Sequence, residues 1–167
     1  MATLTPFQLT PLGLFHTLVS LVAVVLGVLA IVRDKGVSPK TPIGRAYLAA
    51  LVVTTMTGLP IFRRGAIEPP HVLGILTLVV LAIAAVAEKT QVFGRATAYV
   101  KTICYSMTLL FMLIPTVTET LTRVPPGAPL VAGPDAPIFM VLNPIMILAF
   151  LIGVTMQVRR LRAAPAR

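Results

Sequence analysis

Long runs without charge dominate this chain of 167 residues, and they constrain its fold more than any motif does. No charged residue occurs before Arg33. Seventeen residues then separate Arg45 from Arg63, nineteen separate Glu68 from Glu88, seventeen separate Lys101 from Glu119 and twenty-three separate Asp135 from Arg159. A run of ~17–25 apolar residues is what a helix needs to cross the hydrocarbon core of a bilayer. Lipid offers the backbone no hydrogen-bond partner, so a crossing segment must be a helix or part of a closed barrel. Barrel strands alternate apolar and polar residues, and "LVSLVAVVLGVLAIV" does not. The runs therefore predict an all-α, polytopic membrane helix bundle. It is a single domain over 1–167 with five spans, at about 12–32, 46–62, 70–87, 101–118 and 137–158.

Composition points the same way. Only 11% of residues are charged and 57% are hydrophobic. A water-soluble domain carries roughly a quarter charged residues, so much of this surface must face lipid. The stretch "MATLTPFQLTPLGLF" lacks a basic region ahead of the first run. The first helix is therefore expected to be a membrane span rather than a cleaved leader.

Orientation follows from the cations. Eleven of the fourteen Lys and Arg residues fall in the first loop, the third loop and the tail. Cytoplasmic loops collect such residues. Five spans then place the N-terminus outside and the C-terminus in the cytoplasm, in the cell membrane of a bacterium. The net charge of +9 is a topology signal, and no basic patch interleaved with aromatics suggests nucleic acid as a partner. The fourth loop, 119–136, is rich in proline and is expected to cap the outer mouth of the bundle.

Polar residues inside spans should face protein. His16, Ser20, Ala23 and Gly27 recur at helical spacing, as do Tyr47, Ala50, Thr54 and Thr57. Tyr105, Thr108, Met112, Pro115 and Glu119 share a third face, and Asn143 precedes a proline in the last span. Such stripes serve helix packing, where small residues allow close approach and hydroxyls bond across helices. The two histidines open a further reading. His16 and His71 both lie near the outer ends of their helices, and Glu119 ends another helix on that side. Two histidines and a carboxylate suit a transition-metal ion. Two histidines from different helices suit haem b, with Arg63 and Arg64 near its propionates. Without a ligand, both rings are interfacial side chains with an intramolecular hydrogen bond. Ser20, Thr54, Thr57, Tyr105, Asn143, Arg63 and Arg64 are the expected lining of a polar site.

The pattern "HTLVSLVAVVLGVLAIVRDKG" followed by "IGRAYLAALVVTTMTGLPIF" resembles an uncharacterised family of bacterial multi-pass membrane proteins, a domain of unknown function. His16, Gly27, Lys35, Gly36, Gly44 and Arg45 carry the resemblance, and "SMTLLFMLIPTVTETLTRVPPGAPL" extends it over about 14–130. The chain departs from the pattern at Thr41 and Pro42, where a histidine is expected, and at Tyr99 and Met112, where polar residues are. The resemblance implies fold and membrane location and no activity.

No phosphate-binding loop, zinc-protease motif or nucleophile elbow occurs. The expectation is a small non-enzymatic membrane subunit or binding protein with a polar site facing outward. Its partners would be the bilayer and other membrane subunits or further copies of the chain. The alternatives are a haem- or metal-binding protein in electron transfer and a small transporter or channel.

Overall fold

A computed structural model describes residues 10–62, 66–125 and 127–163. Its long elements are five α-helices: α1 Pro11–Arg33, α2 Pro42–Gly58, α3 Pro69–Lys89, α4 Thr97–Arg123 and α5 Phe139–Ala163. A 3-10 turn, Gly94–Ala96, leads into α4. No strand occurs among the described residues.

The helix starts obey local chemistry. Thr10 and Thr41 accept hydrogen bonds from the amides of Gly13 and Gly44, each at 3.1 Å. The residue after each cap is a proline, whose missing N–H would have had no intrahelical partner. α3 also opens on prolines, behind Glu68. α1 ends with Lys35 at φ 62°, the left-handed conformation. The sequence suggests Gly36 as the stop signal. Lys35 takes that conformation instead, and the Gly36 amide returns to the Ala30 carbonyl at 3.2 Å.

Among the described residues, four helices are long and apolar enough to cross a membrane: α1, α3, α5, and α4 together with its leading turn. Their outward faces are apolar, with Val25 58%, Val32 61% and Met140 80% exposed. Apolar surface on that scale faces lipid, since soluble monomers rarely expose more than a few hundred Å² of it in one patch. The protein is thus a multi-pass helix bundle of membrane type. α2 has 17 residues, about 25 Å of helix at 1.5 Å per residue. It was expected over 46–62 and instead begins earlier and stops at Gly58, just before Pro60.

The helices pack in the order α1–α2–α3–α4–α5, and α4 also touches α1. Among the helices, α5 packs on α4 alone, and α1 and α3 do not meet. The core lies where α1, α2 and α4 converge. Tyr47 and Leu51 of α2 are fully buried there, with Ala23 and Ala30 of α1 and Tyr105, Leu109 and Met112 of α4. Tyr47 donates a 2.9 Å hydrogen bond to the hydroxyl of Thr108, whose own proton goes to the Tyr105 carbonyl at 2.7 Å. Gly27 makes room for this junction: a Cβ on it would lie 2.7 Å from Leu109 Cδ1 and 2.8 Å from the Tyr47 ring.

The sequence places the fourth span up to 118, with its helix expected to continue about a turn past Glu119 and to stop before Pro125. The helix does run that turn further, to Arg123, and Glu119 pairs with Arg123 across it. Beyond it, the Val131 amide returns to the Leu121 carbonyl at 3.0 Å, so the loop folds back onto the end of α4. It is largely exposed, with Leu130 at 70%.

Candidate functional site

The two histidines define the site at the end of the bundle where α1 and α3 begin. Both are set against one segment, the last turn of α2 and the residues after it. His16 Nδ1 is 2.9 Å from the Thr54 carbonyl and 3.3 Å from the Thr57 hydroxyl. A carbonyl only accepts, so Nδ1 carries the proton and the Nε2 lone pair points away from that bond. The His16 ring also fills the space over Gly58, where a Cβ would lie 2.8 Å from Cε1. His16 therefore faces α2 and not lipid. The small-residue stripe of α1 is the reason: its next turns, Ala23 and Gly27, are buried on the same side.

His71 is placed differently from the sequence expectation. A partly hydrated ring was expected at the mouth, whereas the ring is only 6% exposed. It stacks on Phe62, with centroids 4.6 Å apart and planes 15° from parallel. Its Nδ1 accepts the Glu68 amide at 3.1 Å. His71 is the third residue of α3, so this bond reaches back to the residue that precedes the helix, as a capping-box side chain does. The spacing Glu68–Pro69–Pro70–His71 signals that bond. It is missed when the helix is started at Pro70.

That bond has a chemical consequence. A ring accepting at Nδ1 carries its proton at Nε2. Nε2 is buried and has no hydrogen-bond partner among the described residues. An unmatched buried donor costs about 1–3 kcal/mol. The site therefore contains one N–H for which the described residues supply no acceptor.

The same geometry bears on metal and haem. A metal binds a nitrogen lone pair, and His71 has none to offer while Glu68 occupies Nδ1. Glu119 is engaged by Arg123 at the end of α4. Among the described residues, no group of three His, Cys, Asp and Glu side chains could hold a metal ion. The structure does not bring His16, His71 and Glu119 together as ligands.

Of the other expected lining residues, Thr54 and Thr57 join His16 directly. Ser20 lies a turn further along α1 and bonds to the Thr17 carbonyl at 2.8 Å. Tyr105 belongs to the opposite end, in a cavity shared with Lys40, Glu88 and Lys101. The reason is its place two turns into α4, whose N-terminus starts at that end. Asn143 sits on α5, which touches neither α1 nor α3. Its Oδ1 is buried and has no partner among the described residues. Arg63 and Arg64 lie outside the described residues. Compared with known proteins, the chain matches no family model, no curated protein and no solved structure.

Proposed function

We propose that this protein is a small, non-enzymatic component of a bacterial cytoplasmic membrane, a binding protein or subunit whose polar site opens at its outer end. In this reading α2 crosses the membrane as well, which gives five spans with the N-terminus outside and the C-terminus inside. The observation that carries the function is the His71 Nε2–H. It is a preorganised, desolvated donor, and such a group is most useful to an acceptor brought by another molecule. The Thr54 carbonyl and the Thr57 hydroxyl hold the His16 ring on the same stretch of α2, so both imidazoles are set against one segment at the outer end.

The test is native mass spectrometry of the full chain released from mild detergent, with His71→Phe beside wild type. Phenylalanine keeps the stack on Phe62 and removes both nitrogens. Wild type should carry a stoichiometric small molecule or second polypeptide that His71→Phe lacks. A bare wild-type chain, or the same species retained by the variant, overturns the reading.

A further inference from the structure

The opposite end of the bundle holds a second polar cavity, of about 200 Å³. The α1–α2 loop, the end of α3 and the first turns of α4 enclose it, and Leu161 of α5 forms an apolar wall. Glu88 lies between two lysines there. Its Oε1 is 3.5 Å from Lys40 Nζ and its Oε2 is 3.2 Å from Lys101 Nζ. Each carboxylate oxygen is thus committed to a cation. Each ammonium has three N–H donors and gives one to Glu88, so two remain. Tyr105 lines the same cavity while only 4% exposed, and its hydroxyl bonds to no described residue. The groups left over are two ammonium groups and the phenol of Tyr105, all able to donate into the cavity.

The surrounding charge has the same sign. Arg33, Lys35, Arg45, Lys89, Arg95, Arg159, Arg160 and Arg162 all lie in the loops and helix ends on this side, against the acids Asp34 and Glu88. Anions are drawn to such an end.

We propose that this cavity binds the phosphate of an anionic phospholipid headgroup, with Lys40, Lys101 and Tyr105 donating to its oxygens. Glu88 acts as a positioning residue that fixes the two ammonium groups on either side of the cavity. A phosphate presents several acceptors to donors converging from separate elements, which matches three donors from the first loop and α4. A zwitterionic headgroup fits less well, because Glu88 is the only carboxylate among the described residues that line the cavity, and its charge is already shared by two lysines. Lipid is the favoured source because the cavity sits where the apolar faces of α3 and α4 end and carries an apolar wall. Basic pockets between helices at that level are where anionic headgroups bind.

The experiment is thermal unfolding of the full chain in detergent, titrated with phosphatidylglycerol, phosphatidylcholine or inorganic phosphate. Phosphatidylglycerol should raise the unfolding temperature of wild type and phosphatidylcholine should not. Lys40→Gln should weaken the apparent affinity about five-fold. Tyr105→Phe should weaken it about ten-fold or more, through loss of a hydrogen bond to a charged group. Lys40 is mostly exposed, and phenylalanine keeps the Tyr105 ring, so both variants should fold. Arg123→Gln, at the far end, should respond as wild type does. An equal shift from inorganic phosphate alone keeps the phosphate site and assigns its source to solution. Equal shifts from both lipids, or wild-type responses from Lys40→Gln and Tyr105→Phe, overturn the proposal.

Discussion

Gly27 and His71 show how differently two residues can report on their surroundings. Gly27 is pressed by Leu109 and Tyr47 at the centre of the core. An added methyl group there must displace packed side chains, and overpacking of this kind costs about 1–3 kcal/mol. Gly27→Ala should therefore lower the unfolding temperature in detergent while leaving the helix content unchanged. The small-residue stripe made that position legible in the sequence. His71 is the harder case. Its location at the start of α3 was legible, but its burial was not, because the burial depends on Phe62 arriving from the end of α2. His71→Phe removes the acceptor for the Glu68 amide, at a net cost of about 0.5–1.5 kcal/mol, and also removes a buried donor that costs about 1–3 kcal/mol. These effects oppose each other. In protein stripped of any bound species, the variant should unfold within about 1 kcal/mol of wild type. A much larger loss would mean that Nε2 has a partner within the chain.

Between elements, the junction of α2 and α4 is held by Tyr47 and Thr108, both fully buried. The two ends of this bond are not equivalent. Tyr47→Phe leaves Thr108 still bonded to the Tyr105 carbonyl, so only one net hydrogen bond is lost, about 0.5–1.5 kcal/mol. Thr108→Val leaves the Tyr47 hydroxyl buried with nothing to bond, at about 1–3 kcal/mol. Thermal unfolding should rank Thr108→Val below Tyr47→Phe, and the double variant should recover part of the difference. The helical face that carries Tyr105, Thr108 and Met112 could be read from spacing alone, since it repeats at three and four residues. The placement of α5 could not. Its apolar residues surround the helix, so no face is marked, and the long preceding loop imposes no neighbour. Only Gln157 points to its partner: it accepts from Ser106 of α4 at 3.0 Å and is 8% exposed.

At the scale of the whole molecule, the question is what α2 does. It is the one long helix that falls short of a membrane span by length. Yet its first turn lies beside the loop that carries Lys40, which reaches Glu88 at the end of α3. Its last turn lies beside His16 near the start of α1, and the chain leaving it places Phe62 on His71 at the start of α3. α2 thus runs the full distance between the two ends that α1 and α3 define. A hydrophobic helix a few Å shorter than the ~30 Å core is accommodated by local thinning or by its neighbours, at fractions of a kcal/mol per Å. Were α2 to stay on one side, the basic ends of α1 and α3 would face opposite compartments, although Glu88 joins Lys40 to Lys101 in one cluster. The proposed five crossings, with the basic end inward, are consistent with both the contact and the cation rule. A cytoplasm-active reporter fused after Arg167 should therefore be active, and a cysteine placed at Leu130, exposed in the α4–α5 loop, should react with an impermeant reagent added to intact cells. Activity of a periplasm-dependent reporter at Arg167 would reverse the orientation. Protection of position 130 together with a cytoplasmic tail would instead remove the crossing of α5, the helix between them, whereas a reactive cysteine at Lys40 with a cytoplasmic tail would remove that of α2.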